Sequence, residues 1–486
     1  MLSDEELKKH LKKWFGFDDF RSGQKEVIQS ILDDKDTLGV LPTGTGKTLI
    51  YQYVGKMVDG MVIVVSPLIS LMQDQVDRMR YLGEKQTVAI TSNLSWVDRK
   101  RVIKNLNNYK YVYVSPEMLS NSDVLDAFKQ HKISLFVVDE AHCINQWGPD
   151  FRPEYLNLKD IIISLNHPTT LMLTATASND VVSDIKEKIG LPNVKTIKYS
   201  TNRPNIALAV DTFTSNEDKN DHLLYLVNKL MKPGIIYFSS KKVANAVCEW
   251  LKEKTKLNVE VYHADLDADS RYRIQHQFIS DQIDIICATS AFGMGIDKDN
   301  IRFVIHYHMP ANLESYVQEM GRAGRDGKQS ISVILYKEKD EILQYRFIDD
   351  TIPSEDMINF FYDHYQQLKN NELDEKANLI KYYFQSGFTK NEVINIFEGR
   401  RNELVTSLNQ MLGYVKTKGC KRAFLLRYFN EIFSEHDENC CNGDDTQLQL
   451  EEMDLVQESK SLNSRPRNVK WQSIIQTLFL NSKIHV

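Results

Sequence analysis

Thr37-Leu38-Gly39-Val40-Leu41-Pro42-Thr43-Gly44-Thr45-Gly46-Lys47-Thr48-Leu49-Ile50 runs from a short apolar, strand-like segment through a glycine-containing turn into a helix-like stretch that continues to residue 58. A strand, such a turn and a helix, in that order, make a cradle for phosphate. Glycines let backbone N–H groups turn inward, and the helix presents the positive end of its dipole. Thr43, Gly44, Thr45 and Gly46 would surround the phosphates of a nucleotide. Lys47 would reach the β and γ phosphates, and the Thr48 hydroxyl would sit on Mg²⁺. The strict pattern for such loops has a glycine five residues before Gly46, where this chain has Leu41; the strand, loop and helix context carries the reading without it.

Outward from this loop, Phe136-Val137-Val138-Asp139-Glu140-Ala141-His142 ends a second buried-type strand with two adjacent carboxylates. Hydrolysis of a nucleoside triphosphate needs a metal-holding acid at the carboxyl end of a strand beside the phosphate-loop strand. Asp139 is expected to hold Mg²⁺ through water, and Glu140 to orient and deprotonate the attacking water. Charge then builds on the γ-phosphate oxygens, where a cationic finger is worth ~10³–10⁵ in rate. Residues 318–327, Gln-Glu-Met-Gly-Arg-Ala-Gly-Arg-Asp-Gly, place Arg322 and Arg325 one helical turn apart. That spacing also fits a solvated helix face, but the surrounding glycines and the placement in a second domain favour a contribution across a cleft.

Short strand-like runs at 37–41, 61–65, 110–114, 135–138 and 171–174 alternate with helix-length stretches, and the rhythm restarts at 234–238, 259–262, 283–288, 302–306 and 332–335. The expectation is an α/β protein with two doubly wound parallel-sheet domains, 1–200 and 201–338. They join near Asn202-Arg203-Pro204-Asn205. A mainly helical subdomain, 339–445, follows, then a polar tail, 446–486, with one helix-like stretch at 469–480 and a solvated basic strip at 460–470. The 486 residues allow about three domains. Lys and Arg total 60 against 66 Asp and Glu, so any nucleic-acid contact must come from local basic strips rather than bulk charge. No apolar run approaches the ~20 residues that span a membrane, no signal-peptide core opens the chain, and six cysteines are too few for a disulfide scaffold. A soluble cytoplasmic protein is expected.

In this order the segments resemble the RecQ family of superfamily-two DNA helicases, over roughly residues 10–445. The resemblance implies two tandem RecA-like domains followed by a zinc-binding-type helical subdomain. Phe17-Asp18-Asp19-Phe20-Arg21-Ser22-Gly23-Gln24 is similar to the family's adenine-reading segment, so Gln24 would contact adenine and Arg21 would support the nucleotide. Residues 139–142 match the DEAH box, and 174–177, Thr-Ala-Thr-Ala, match the motif that couples hydrolysis to DNA movement. Residues 291–297, which include Asp297, and 318–327, which begin at Gln318, match the last two motifs. By that match Asp297 and Gln318 join the ATP site, and Arg322 and Arg325 both contact the nucleotide, one of them as the finger. Residues 143–153 resemble the aromatic-rich loop that senses single-stranded DNA: Trp147 and Phe151 can stack on bases and Arg152 can hold a phosphate. Pro149 stands where the family usually has His, which implies an ATPase less sharply dependent on DNA. Met320 and His308 also depart from the family's usual residues, and no functional change is attached to either. Motif position alone nominates Ser66, Thr91, Ser239 and Thr289 as contacts to DNA phosphates.

Residues 420–429 resemble the helix that opens the RecQ zinc region, where the family supplies three further cysteines. This chain offers Cys440 and Cys441, and Asp444 stands where the final cysteine would fall relative to Cys441. His436, Asp437 and Asp445 are other candidates. Either Cys420, Cys440, Cys441 and Asp444 hold Zn²⁺, or a relic knuckle with free thiols is held by packing. Adjacent side chains in extended backbone point opposite ways, which sets Cys440 and Cys441 apart as ligands to one ion. About 40 residues beyond Asp445 cannot hold a winged helix or a further helical module, so a short-form helicase is expected. The resemblance implies an ATP- and Mg²⁺-dependent 3′–5′ DNA helicase; a nucleoid-associated monomer is expected, since one chain contains both halves of the ATP site. It would act on single-stranded and tailed duplex DNA in repair and recombination. The alternatives are a DNA-stimulated ATPase switch without processive unwinding, and an RNA helicase.

Overall fold

Apolar runs without alternation belong to strands buried on both faces, and such strands form parallel sheets covered by helices. In the computed structural model, which describes residues 3–67, 69–144, 153–191, 193–293, 298–368, 373–433, 439–443 and 448–457, two such sheets form. The strands β1 (Thr37–Val40), β2 (Met61–Val65), β3 (Thr87–Ile90), β4 (Tyr111–Val114), β5 (Ile133–Val138), β6 (Thr170–Thr174) and β7 (Lys195–Lys198) lie in the order β3-β4-β2-β5-β6-β1-β7. The second sheet takes β8 (Ile206–Phe213), β9 (Gly234–Tyr237), β10 (Val259–Tyr262), β11 (Ile285–Ala288), β12 (Phe303–His306) and β13 (Ser330–Lys337), in the order β10-β11-β9-β12-β13-β8. Every pairing is parallel. All strand ends of a sheet therefore open on one edge, where ligands of such folds bind.

Two differences from the sequence reading follow. First, β3, β7 and β8 were not expected as strands, and all three are sheet edges. The Lys-Thr-Ile-Lys of β7 is polar, as an edge strand with one unpaired side can be, and shows little apolar signal, whereas β3 (Thr-Val-Ala-Ile) and the start of β8 (Ile-Ala-Leu-Ala) are buried apolar runs that the sequence reading passed over. Second, the strand that ends before Asp139 is not the neighbour of the phosphate-loop strand, because β6 lies between β5 and β1. Val138 pairs with Met172 and Val40 with Thr174, so the three strand ends still share the edge.

Among the described residues, five helices follow the second sheet: Glu341–Thr351, Glu355–Leu368, Glu375–Gln385, Lys390–Lys416 and Lys421–Tyr428. The fourth begins with a capping box, in which the Thr389 N–H donates to Glu392 Oε2 at 2.7 Å and the Glu392 N–H to Thr389 Oγ1. One apolar core runs from Ile235 and Tyr316 through Ile358, Phe361, Val393 and Tyr414 to Cys440 and Cys441. The helical region thus covers one face of the second sheet. Residues 448–457, expected in the polar tail, return to the other face, where Met453 and Leu455 are buried beside Leu226 and Leu230. Such burial stabilises by about 1.5–3 kcal/mol per side chain. The stretch 469–480 lies outside the described residues. Among the described residues, no helix is long and apolar enough to cross a membrane.

Candidate functional site

The phosphate loop leaves the carboxyl end of β1 and enters the helix Lys47–Met57, whose N-cap is Gly46 and whose first turn has no side-chain cap. Those first N–H groups are what an anion would use. Thr45 Oγ1 donates to the Pro42 carbonyl at 2.8 Å, which closes the turn. Lys47 Nζ lies 3.5 Å from the Leu41 carbonyl. The Gln24 amide braces the loop: Nε2 donates to the Thr45 and Gly46 carbonyls at 2.7 and 3.1 Å, and Oε1 accepts the Arg21 N–H at 2.9 Å. The Arg21 guanidinium donates to the Gly44 carbonyl. Both residues of the expected adenine segment therefore hold the loop itself.

On the same edge, Asp139 Oδ1 accepts the Glu140 N–H at 3.0 Å. Burial and the adjacent Glu140 charge push the Asp139 carboxyl up to about 7, against the pull of Lys47. A half-buried Asp139 and a buried Glu140, set against one lysine, fit a hard divalent cation, with the Thr48 hydroxyl as a further oxygen donor. Glu140 sits in the left-handed region at φ 49°, a conformation that costs an L-residue about 1–2 kcal/mol. Its Oε2 is 3.2 Å from His142 Nδ1. His142 Nδ1 is also 3.0 Å from Thr174 Oγ1, which donates to the Thr176 carbonyl. With its proton so used, the hydroxyl accepts from Nδ1, which sets the tautomer. The DEAH segment and the 174–177 segment are thus joined by hydrogen bonds.

The second sheet brings its own groups to this edge. Gln318 lies on the helix Leu313–Met320, and residues 321–327 turn directly after it. Arg322 is 5% exposed and donates to the Gly293 carbonyl within its own domain. Arg325 instead crosses to the phosphate loop: a Cβ on Gly44 would lie 3.1 Å from Arg325 Cγ. Gly44, at φ +86°, and Gly321, where a Cβ would meet Thr43 Oγ1, are what allow the two loops to approach. Equal spacing in sequence left the two arginines equivalent, and the structure separates them.

Sequence reasoning missed Arg203 as more than a linker residue. Its Nη1 donates to the carbonyls of Thr43 and Gly321 at 3.3 and 3.0 Å, and its Nη2 to those of Ala323 and Gly324 at 3.0 and 2.8 Å. Gln344 and His308 were also missed as supports of Ser239. Gln344 Nε2 donates to Ser239 Oγ at 3.0 Å, and the Ser239 N–H donates to His308 Nδ1 at 3.2 Å. Burial, with the Lys219 charge, pushes His308 down to about 4, so it is neutral and accepts. No local pattern marks a contact between residues so distant in sequence.

Thr91 and Thr289 directly follow β3 and β11 and are 6% and 9% exposed. Ser66, after β2, is 2% exposed with its hydroxyl unpartnered. As placed here it is covered, and a direct phosphate contact would require it to be uncovered. Trp147, Phe151 and Arg152, together with Pro149, lie outside the described residues, as do Asp297 and the metal candidates His436, Asp437, Asp444 and Asp445.

The cysteines converge. Cys420 Sγ is 3.9 Å from Cys440 Sγ and 3.7 Å from Cys441 Sγ, and all three sulfurs lie within 4.8 Å of one another. Zn–S bonds of about 2.3 Å in a tetrahedron put sulfurs ~3.8 Å apart, so the trio fits zinc, contrary to the objection from extended backbone. The chain bends at Cys440 and Asn442 around a single bridge from Cys441 to Leu208, so strand alternation does not apply. Hydrogen bonds from the Cys440 thiol and from the N–H groups of Gly443 and Lys421 push the Cys441 thiol down to about 5. Arg422 Nε lies 3.1 Å from Cys440 Sγ.

Family models match three stretches: DEAD/DEAH box helicase over residues 21–185, Helicase conserved C-terminal domain over 218–327, and RecQ zinc-binding over 364–444. "Probable ATP-dependent DNA helicase RecS" of Bacillus subtilis (strain 168) is 40% identical over 456 residues, covering 90% of this chain and 91% of that protein. "ATP-dependent DNA helicase RecQ" of the same organism is 34% identical over 441 residues, covering 90% of this chain and 66% of that protein. Among solved structures, the Mycobacterium smegmatis helicase Lhr bound to ssDNA and AMP-PNP aligns with a TM-score of 0.56 at 20% identity, over 70% of this chain and 49% of that one, a likeness of fold.

Proposed function

This chain belongs to the RecQ family of ATP-dependent DNA helicases, and on that premise we propose that it hydrolyses ATP between its two sheets to move 3′ to 5′ along one DNA strand and separate the duplex. One observation supports the reading above the others: Arg325 of the second domain lies against Gly44 of the phosphate loop. A site completed from two domains responds to their closure. In this reading the loop amides and Lys47 hold the phosphates, and Glu140 takes the proton of the attacking water. Arg325 meets the charge that develops on the γ-phosphate. The contact of Glu140 with His142 and the His142–Thr174 hydrogen bond would pass the state of Glu140 to the 174–177 segment. Thr48 and Asp139 would hold Mg²⁺, which when bound neutralises phosphate charge.

Hydroxyls and amides at the strand ends, Thr91 in the first domain and Ser239 and Thr289 in the second, would take DNA phosphates. Stacking by Trp147 and Phe151, worth ~1–3 kcal/mol per base, would let an acidic protein grip a single strand. Cys420, Cys440 and Cys441 would hold Zn²⁺, a staple between the helix Lys421–Tyr428 and the edge strand β8. Protein purified without chelator is expected to carry close to one zinc per chain, and a stoichiometry near zero removes that assignment.

The deciding experiment is strand displacement on a duplex with a 3′ single-stranded tail, against a 5′-tailed duplex and a Lys47→Ala blank. Unwinding of the 3′-tailed substrate alone is expected. ATPase without unwinding would instead make the chain a DNA-stimulated switch, and turnover retained by Lys47→Ala would refute the site.

A further inference from the structure

The segment between the sheets, residues 199–205, carries no recognisable motif, yet it is gripped from three sides. In front, Arg203 sends four N–H bonds to four carbonyls: one on the phosphate loop, Thr43, and three in the turn that holds the arginines, Gly321, Ala323 and Gly324. Behind, Arg422 of the cysteine-bearing helix donates to the Asn202 side chain at 2.9 Å, to the Arg203 carbonyl at 3.0 Å and to the Ile206 carbonyl, with its Nε on Cys440 Sγ. Below that helix, Glu431 accepts from the Thr201 N–H and hydroxyl, both at 2.9 Å, and from the Ser200 hydroxyl.

We propose that Arg203 is a positioning residue for ATP hydrolysis, which fixes the turn bearing Arg325 against the phosphate loop and is itself anchored to the cysteine subdomain through Arg422. The proposal rests on the ATP-site reading above. Carbonyl oxygens brought together in a tight turn repel one another, and a planar guanidinium with paired N–H groups satisfies them while fixing their relative directions. The carbonyls it holds flank Arg322 and precede Arg325, so they set the direction in which the Arg325 side chain leaves. The Thr43 carbonyl precedes Gly44, the residue on which Arg325 packs. One side chain therefore ties the giver and the receiver of the transition-state charge to a common point. A lysine, with one compact ammonium, cannot span four acceptors.

The test uses the full chain with saturating single-stranded DNA and Mg²⁺, comparing wild type, Arg203→Lys, Arg203→Gln, Arg325→Ala and the Arg203→Gln/Arg325→Ala pair, each checked by thermal melting. Misplacing a catalytic group by about 1 Å costs up to ~10²-fold, so both Arg203 variants should lose about tenfold to a hundredfold in kcat. KM for ATP and affinity for ADP should hold, while the extra affinity for ADP with aluminium fluoride is lost. If Arg203 acts through Arg325, the double variant is no slower than Arg325→Ala alone. Unchanged kcat in Arg203→Lys overturns the proposal. So does a parallel loss of ADP binding, or a double variant slower than Arg325→Ala, since either marks a general defect of the loop. Should Arg203→Gln fail to melt cooperatively, the same comparison runs with Arg203→Lys. Wild type without ATPase, or Lys47→Ala with it, sinks the site reading instead.

Discussion

The phosphate loop, residues 42–48, and the linker, residues 199–205, touch through Arg203 and Thr43 but are built in opposite ways. The loop is shaped mainly by its own residues: a strand end, glycine in the left-handed region and a helix start direct its amides, with Arg21 and Gln24 bracing its carbonyls. The linker has almost no structure of its own. Its conformation is imposed by a guanidinium and a carboxylate from the cysteine-bearing region and by carbonyls of both sheets' loops. A group that performs chemistry can be encoded in seven neighbouring residues, whereas the frame that aims two domains at each other has to be assembled from the whole chain.

The widest expected effect would break that comparison on the loop side. Arg325→Ala should slow turnover by ~10³-fold or more with ADP binding intact, while Arg322→Ala, whose side chain faces Gly293, should show its main effect as a lowered Tm. Equal kinetic losses would mean that the two arginines share the site. Glu140→Gln should follow, with ~10²–10⁴-fold lower kcat and retained ATP affinity; in single-turnover assays the defect must lie in the chemical step.

On the linker side, Glu431→Ala strips the Thr201 and Ser200 donors of their acceptor. Denaturant unfolding should register a loss of about 1–3 kcal/mol, with a kcat defect no larger than that of Arg203→Lys. A stability loss without any change in kcat would show that the clamp serves folding alone.

The smallest effect concerns a part of the cleft that belongs to neither segment. Burial, then the Asp77 charge, push Asp74 up to about 6 from 3.8, opposed by His276 and Arg271 of the second domain. A carboxyl whose folded value is raised costs stability as it ionises, so the wild type weakens as pH rises from about 4 to 6. Asp74→Asn should melt modestly higher at pH 7.5, converge with wild type below pH 4, and turn over ATP at the wild-type rate.

What was legible followed residue type and short spacing. Residues 42–48, 139–142 and 318–327 place their groups within a turn or two, and interior strands such as β2 and the last four residues of β5 declare themselves by unbroken apolar runs. What was illegible fell on edges and bends. β7 has little apolar pattern to show and is a strand because β1 pairs with it. Cys440 and Cys441 look incompatible by strand alternation, yet the chain bends there and the sulfurs of both reach Cys420.

The sequence by itself determined that a glycine turn joins a strand to a helix start that carries Lys47 and Thr48, that two carboxylates stand at a strand end and that two arginines come from a second domain. Those features depend on backbone freedom and side-chain chemistry within a few residues. Only the tertiary structure decided that β6 stands between the acids and the loop, that Arg325 rather than Arg322 faces Gly44, and that Arg203, Arg422 and Glu431 hold the two halves in register. Those bonds join positions 118 to 231 residues apart, and at that distance the partner is chosen by packing, which no local periodicity carries.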